Sequence, residues 1–194
     1  MNKALFFIYD GFAEFEINLL SFFLKSKNYE IETFTIDSEK KIVTGESGFL
    51  FQPHKLISEI DHVDSYELFA IPGGPIFDLM TNEALLNLVR AFHEKDKWIA
   101  AICAGTGLAA KAGILENVPF STSLSPAEND VQHIHNWIFK QKDDVTVHGN
   151  IITSTASAYV EFASEVIKQL NLYEPGEENE TLAYFKNFNR GDFN

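Results

Sequence analysis

The most informative stretch of this chain is Trp98-Ile99-Ala100-Ala101-Ile102-Cys103-Ala104-Gly105-Thr106-Gly107-Leu108-Ala109-Ala110-Lys111-Ala112-Gly113-Ile114-Leu115. An apolar run typical of a buried strand ends at Cys103, the only cysteine, and a helix of small residues is predicted to begin directly after it. With no room for a loop, Cys103 would occupy a tight strand-to-helix turn that lifts its side chain above the carboxyl edge of a sheet. The positive end of the helix would then favour a thiolate. The alternative is that Cys103 is a small buried hydrophobe, the usual fate of a free cysteine.

The composition is that of a globular protein of one domain. The 194 residues, 45% of them hydrophobic, are enough to bury a sizeable core. The formal net charge of −13 argues against nucleic acid or an anionic membrane as a partner. A single cysteine excludes an internal disulfide and fits a reducing compartment, and no apolar run reaches the ~18 residues that span a bilayer. The N-terminal residues lack a signal-peptide pattern, so the expected location is the cytoplasm.

Apolar patterning predicts that strands and helices alternate along the chain. The predicted strands lie at 4–9, 29–36, 68–71, 98–102 and 118–122, with hairpins formed by 40–43 with 48–51 and by 145–148 with 151–154. The predicted helices lie at 13–25, 83–93, 127–131 and 156–170. The first helix is expected to place Phe15, Leu19, Phe22 and Phe23 on its apolar face.

This alternation predicts a doubly wound, mostly parallel sheet sandwiched by helices, a flavodoxin-like α/β fold. Sites in such folds form at the carboxyl ends of the strands. Three breaks in the sequence fall there, at residues 10–16, 72–75 and 103–107. Their convergence favours the interpretation of Cys103 as an exposed side chain on a turn.

Four segments of the sequence resemble the ThiJ/PfpI family, the group that includes the Parkinson-disease-associated protein deglycase, within the class I glutamine amidotransferase-like superfamily. The segments are residues 10–16 (DGFAEFE), 71–74 (IPGG), 101–105 (AICAG) and 149–154 (GNIITS). They occur in the order and spacing of the family. The resemblance implies one α/β domain over residues 1–172. It does not cover the acidic tail, 173–194, whose remaining apolar residues predict that it docks on the body or on a partner subunit. Members of the family are commonly homodimers.

The resemblance also implies a site around Cys103. It places Glu16 beside the sulfur, as a carboxyl that hydrogen-bonds the thiolate, whereas Glu14 is expected to be a solvated acid in the first helical turn. Gly73 and Gly74 resemble the oxyanion loop of the family, which with the N–H of Ala104 would form a two-donor hole. The alternatives are a solvated Glu16 and an ordinary Pro-Gly turn.

The chain departs from the family where a histidine is expected. PfpI-type peptidases have a histidine directly after the cysteine, and here that position is Ala104. The deglycase branch has one in a segment that here reads Ser-Thr-Ser-Leu-Ser, residues 121–125. No histidine is followed two residues later by the glutamate that amidotransferases need. A triad peptidase or an amidotransferase is therefore disfavoured.

The remaining histidines are weak candidates. His133 and His135 share a face only on a strand, where they could reach the site, but they offer too few ligands for a metal. The segment 128–130 (Glu-Asn-Asp) would line the pocket or begin a solvated helix. The histidines expected to lie on the surface or away from the site are His54, His62, His93 and His148.

The leading hypothesis is a Glu-assisted cysteine enzyme of the glyoxalase, deglycase or hydratase type. It would act on small carbonyl substrates and need neither a metal nor a cofactor. The alternatives are a sensor of oxidative stress that uses the same cysteine, and a ligand-binding protein. An activated thiolate oxidises readily, and sensing needs no base.

Overall fold

A computed structural model of the chain describes residues 2–36, 42–127 and 131–186. Its centre is a seven-stranded sheet in the order β5-β2-β1-β6-β7-β9-β8. The strands are β1 (Lys3–Phe7), β2 (Glu30–Thr35), β5 (Lys55–Leu56), β6 (Leu68–Ile71), β7 (Trp98–Ile102), β8 (Val145–His148) and β9 (Ile151–Ser154), and β3 (Val43–Thr44) pairs with β4 (Leu50–Phe51) outside the sheet. All pairs in the sheet are parallel except β8 with β9. The doubly wound fold is thus confirmed.

The helices are α1 (Phe15–Ser26), α2 (Glu83–Glu94), α3 (Thr106–Lys111), α4 (Tyr159–Gln169) and α5 (Glu177–Lys186). The apolar strands β1, β6 and β7 are adjacent in the centre of the sheet, where they are buried. Because these three strands are parallel, the segments that follow them meet at one edge. These are the three breaks singled out in the sequence.

The apolar face predicted for α1 is partly wrong. Phe15 and Phe22 are 47% and 61% exposed, while the buried face is formed by Glu16, Ile17, Leu20, Phe23 and Leu24. The prediction followed the aromatic residues, but the helix is rotated so that Glu16 faces the carboxyl edge of the sheet. Hydrophobicity alone could not anticipate a buried acid on the inner face.

The strand predicted at 118–122 does not form. Only an isolated bridge joins Phe120 to Lys140, because Pro119 lacks an N–H and the N–H of Ser121 donates to the Thr153 hydroxyl (3.0 Å) instead of to a ladder. The hairpin at 145–154 is confirmed residue for residue. Parts of the predicted segments 40–43 and 127–131 lie outside the described residues.

Helix α5 packs on α1 and α4. Glu177 accepts from Lys27 (2.6 Å), Lys186 pairs with Glu161 (2.6 Å), and the rings of Phe23 and Phe185 meet edge to face. Within its described part, the tail therefore lies against the body of the chain. No helix of the described residues is long and apolar enough to cross a membrane.

Candidate functional site

Cys103 lies on a strained turn at the end of β7. Its φ of +58° is in the left-handed region that side chains rarely adopt, and a 3₁₀ turn, Cys103–Gly105, leads into α3. The Cys103 carbonyl accepts from the hydroxyls of Thr106 (2.8 Å) and Thr122 (3.0 Å). A Cβ at Gly105 would stand 2.5 Å from the Ile71 carbonyl oxygen, so only glycine lets the turn lie against the end of β6. The Cys103 residue is half-buried.

Glu16 and Gly73 stand beside the sulfur. The Glu16 side chain is 1% exposed, accepts the N–H of Gly73 on Oε2 (2.6 Å) and shares a hydrogen bond with the Cys103 thiol. A Cβ at Gly73 would lie 2.9 Å from both the sulfur and Glu16 Oε2, so the absence of a side chain allows the two groups to approach. The Tyr9 hydroxyl fixes this loop by donating to the Gly73 carbonyl (2.8 Å).

Burial sets the charge state of this pair. Desolvation raises the pKa of Glu16 above its usual range. Burial, followed by the charge of Glu16, raises the pKa of the Cys103 thiol to about 12, although the hydroxyl of Ser123 and the N–H of Ala104 act in the opposite direction. The resting site therefore holds a neutral thiol beside Glu16. The thiolate expected from the helix end is not what the geometry favours, because desolvation outweighs it.

Ser123 is the residue that sequence analysis missed. Its hydroxyl hydrogen-bonds the Cys103 sulfur and accepts the N–H of Ala156 (2.8 Å). It lies in the segment 121–125, where the deglycase branch carries its histidine. A serine in a run of hydroxyl residues has no pattern of its own, so the only available signal was the segment in which it occurs.

The backbone N–H groups predicted to bind an oxyanion, those of Gly73, Gly74 and Ala104, have different hydrogen-bond partners. The Gly73 N–H is committed to Glu16, and the Ala104 N–H is directed at the sulfur. Of the glycine pair, Gly74 keeps an amide with no partner among the described residues, and its φ of +126° requires glycine. Of the two glycine N–H groups, that of Gly74 is therefore the one without a partner in the described part of the chain.

Glu14 is not the solvated acid that the sequence suggested. It is buried, and its Oε1 accepts the N–H of Ser47 (3.0 Å). The N–H of Gly11 donates to Thr44 (2.7 Å) and that of Glu46 to Phe12 (2.9 Å). The turn at 44–47 is therefore fastened over the loop that leads into α1.

The histidines do not complete a triad. His135 is 6% exposed and stacks on Phe120, with neither ring nitrogen bonded, whereas its neighbour His133 is exposed and neither is on a strand. His93 was expected on the surface, but it is half-buried and hydrogen-bonds Asn150 (3.0 Å). His54, His62 and His148 are exposed.

Over residues 2–36, 42–127 and 131–186, no three His, Cys, Asp or Glu side chains lie close enough together to hold a metal ion. The segment 128–130 lies outside the described residues.

Residues 2–169 of the chain match the sequence pattern of the DJ-1/PfpI family. The chain belongs to the DJ-1/PfpI family. The resemblance noted in the sequence is therefore confirmed.

Within this family the relatives are distant. The protein named deglycase TK1284 of Thermococcus kodakarensis is 26% identical over 78% of this chain and 89% of its own length. The uncharacterized protease YdeA of Bacillus subtilis is 25% identical over 97% of this chain and 92% of its own. The crystal structure of the DJ-1 superfamily protein Atu0886 of Agrobacterium tumefaciens superimposes with a TM-score of 0.82, at 26% identity, over 95% of this chain and 97% of that protein.

Proposed function

We propose that this member of the DJ-1/PfpI family is an enzyme in which Cys103 attacks small carbonyl compounds and Glu16 carries the proton. The observation that supports this most is the buried carboxyl of Glu16, hydrogen-bonded to the thiol and to Gly73. A base with a raised pKa next to a half-buried thiol suits general acid–base catalysis. The deglycase of Thermococcus kodakarensis is a relative whose name agrees with carbonyl chemistry.

The first step forms a C–S bond and an O–H bond and breaks the S–H bond and the C=O π bond. The sulfur adds to the carbonyl carbon, the C=O π bond opens, and the thiol proton passes through Glu16 to the oxygen, giving a hemithioacetal. The Gly74 N–H is the donor available to that oxygen. With a 2-oxoaldehyde, Glu16 can then move the proton from the former aldehyde carbon to the neighbouring carbon, while the hydroxyl proton passes to the oxygen of that neighbouring carbon, through an enediol. The product is a thioester, which water hydrolyses to the 2-hydroxy acid and the free thiol.

The test replaces the sulfur. Purified protein is incubated with methylglyoxal, and lactate is followed by NMR. Cys103→Ala and Cys103→Ser are expected to abolish turnover, while His148→Asn, an exposed change in the 145–154 hairpin, leaves it intact. Turnover that persists in Cys103→Ala contradicts the mechanism.

An oxidation sensor is the second candidate, since the Cys103 residue is only half-buried. The raised thiol pKa weighs against it, because thiolate is the species that oxidises. Mass spectrometry after mild peroxide separates the two: a sensor gains oxygen at Cys103 faster than a model thiol does. Peptidase activity, suggested by the name of YdeA, is disfavoured because no histidine hydrogen-bonds Cys103 among the described residues.

The proposal includes a homodimer in a reducing compartment such as the cytoplasm, where a lone thiol stays reduced. Exposed aromatic residues on and beside α1 support the dimer. Phe15 packs edge to face on Tyr159 with ring centroids 5.8 Å apart, and Phe22 lies open on the same helix. Sedimentation equilibrium tests the oligomeric state.

A further inference from the structure

Two buried threonines meet at the backbone carbonyl of Cys103. Thr106 is the first residue of α3, and Thr122 lies in the segment 121–125; they are 0% and 1% exposed. Their hydroxyl oxygens are 2.6 Å apart, and they lie 2.8 Å and 3.0 Å from the Cys103 carbonyl oxygen. The proposed reaction uses the sulfur, Glu16 and Gly74, and it gives this pair of hydroxyls no part.

The three oxygens of this group share two protons. A carbonyl oxygen only accepts, and each hydroxyl has one hydrogen to donate. If Thr106 donates to the carbonyl, then Thr122 donates to Thr106. If Thr122 donates to the carbonyl, then Thr106 donates to Thr122. Because the distances allow both arrangements, either threonine can replace the other as the donor to the carbonyl.

The residue that this pair holds is strained. The φ of +58° at Cys103 costs energy for a residue with a side chain, and such a conformation persists only where its surroundings hold it. A Cβ at Gly73 would stand 2.8 Å from the Cys103 Cβ and 2.9 Å from both the sulfur and Glu16 Oε2. A small rotation of the Cys103 backbone would therefore move the thiol away from the carboxyl.

Thr122 also joins the turn to the segment that carries Ser123. Its hydroxyl oxygen accepts the N–H of Leu124 (3.1 Å), so the backbone on the far side of Ser123 is fastened to the same group of oxygens. The hydroxyl that hydrogen-bonds the sulfur thus lies between two residues that this group holds.

We propose that Thr106 and Thr122 are positioning residues of the site: their shared hydroxyls hold the Cys103 carbonyl and keep the thiol hydrogen-bonded to Glu16, and the site tolerates the loss of either hydroxyl but not of both. The effect on turnover rests on the proposed function. The position of the thiol does not, so it can be measured without a substrate.

The infrared S–H stretching band measures that position. The chain has one cysteine, so its spectrum has one such band, in a region where other protein groups do not absorb. A thiol that donates a hydrogen bond absorbs at a lower frequency than one that does not. Glu16→Ala supplies the frequency of the Cys103 thiol without its carboxyl partner.

Valine has nearly the shape of threonine and lacks the hydroxyl. Thr106→Val and Thr122→Val should each keep the parental band, whereas the double valine variant should shift it at least halfway to that of Glu16→Ala. The kcat of the double variant for methylglyoxal should fall about tenfold at unchanged KM, as expected for the loss of one buried hydrogen bond. The double serine variant keeps both hydroxyls and should restore the band and kcat.

The matched control is Thr153→Val. Thr153 is also 1% exposed, and its hydroxyl accepts the N–H of Ser121 (3.0 Å) and donates to the Thr146 carbonyl (3.4 Å). Its loss loosens the segment 121–125 without removing a donor from the Cys103 carbonyl. Thr153→Val should therefore lower the free energy of unfolding and leave the S–H band in place.

A double valine variant that is less stable but keeps the parental band and kcat shows that the threonines only support the fold, and it overturns the proposal. A band shifted as far by one valine as by two, or shifted equally by Thr153→Val, overturns it as well. If the double valine variant does not fold, Thr106→Ala/Thr122→Val takes its place, because alanine lacks the hydroxyl and favours a helix at the start of α3. Failure of the proposed function looks different: the parent does not turn over methylglyoxal, while the band still shifts only in the double variant.

Discussion

Two buried glutamates in this molecule have opposite surroundings. Glu32 on β2 is 8% exposed and receives the ammonium groups of Lys3 and Lys55, each at 2.8 Å, and the hydroxyl of Tyr66. Burial opposes its ionisation, but these hydrogen bonds outweigh burial and lower its pKa to about 2. Glu16 has no such cation among the residues that the structure describes, and burial raises its pKa. One carboxyl is therefore held as a charge, and the other is free to exchange a proton.

Removing the proposed proton carrier, Glu16, should have the largest effect. Glu16→Gln keeps the shape of the side chain but cannot take the thiol proton, so turnover should fall about 10²–10³-fold. Stability at neutral pH should stay equal or rise. A carboxyl whose pKa is raised by folding contributes stability below its unfolded pKa and loses it as pH rises through the folded value. Steady-state kinetics with methylglyoxal measure turnover, and thermal unfolding at pH 7 measures stability. If Glu16→Gln lowers both, Glu16 resembles Glu32 in stabilising the fold, and the proposed difference between the two acids is wrong.

Glu32→Gln should have the opposite effect to Glu16→Gln, lowering stability and leaving turnover unchanged. It removes the charge that compensates Lys3 and Lys55, so the free energy of unfolding should fall by about 2–3 kcal/mol at pH 7 with turnover unchanged. Glu30→Gln is the matched control, because Glu30 also pairs with Lys3 but is 41% exposed at its side chain, and it should cost less than about 0.5 kcal/mol. Urea denaturation measures all three proteins. Equal losses in the two variants would mean that Glu32 is only another surface acid.

The pH dependence follows with its sign. A carboxyl whose pKa is lowered by folding stabilises the fold above its unfolded pKa, and that stability disappears as pH falls from about 4.5 towards 2. Glu32→Gln should therefore lose less stability than the parent over this range.

Glu16 and Glu32 show which features of the molecule could be predicted from the sequence and which could not. The apolar strands and the 145–154 hairpin follow from short-range patterning, and the Cys103 turn follows from its position between such a strand and a helix. Glu32 lies in an alternating strand. The neighbouring sequence does not predict its ion pairs, because Lys3 and Lys55 come from β1 and β5. The sequence placed Glu16 by family resemblance only. Burial of Glu14 depends on a turn about thirty residues away in the chain.

His135 offers a third, uncompensated buried group. Burial and the nearby charge of Lys140 lower its pKa to about 4. Since the unfolded state binds a proton at about pH 6.5 and the folded state does not, stability should fall by about 2 kcal/mol as pH drops from 6.5 to 4.5. His135→Phe preserves the stack on Phe120 and should flatten this decline. Urea titrations at both pH values test it, with the exposed His133→Phe as control; an unchanged slope in His135→Phe would show that another group is responsible.

The smallest effect is expected at Ser123, a described residue whose hydroxyl hydrogen-bonds the sulfur. Ser123→Ala removes a hydrogen bond that favours the thiolate, so the alkylation rate of Cys103 by iodoacetamide at fixed pH should fall by a factor of about five. It also leaves the Ala156 N–H without its acceptor, which lowers stability by about 1 kcal/mol. Ser123→Thr retains the hydroxyl and should restore the rate. If Ser123→Ala loses stability while its pH–rate profile for alkylation stays that of the parent, Ser123 supports the loop and does not tune the thiol. A shifted profile that Ser123→Thr restores means that a hydroxyl takes over part of the role that the deglycase branch gives to histidine.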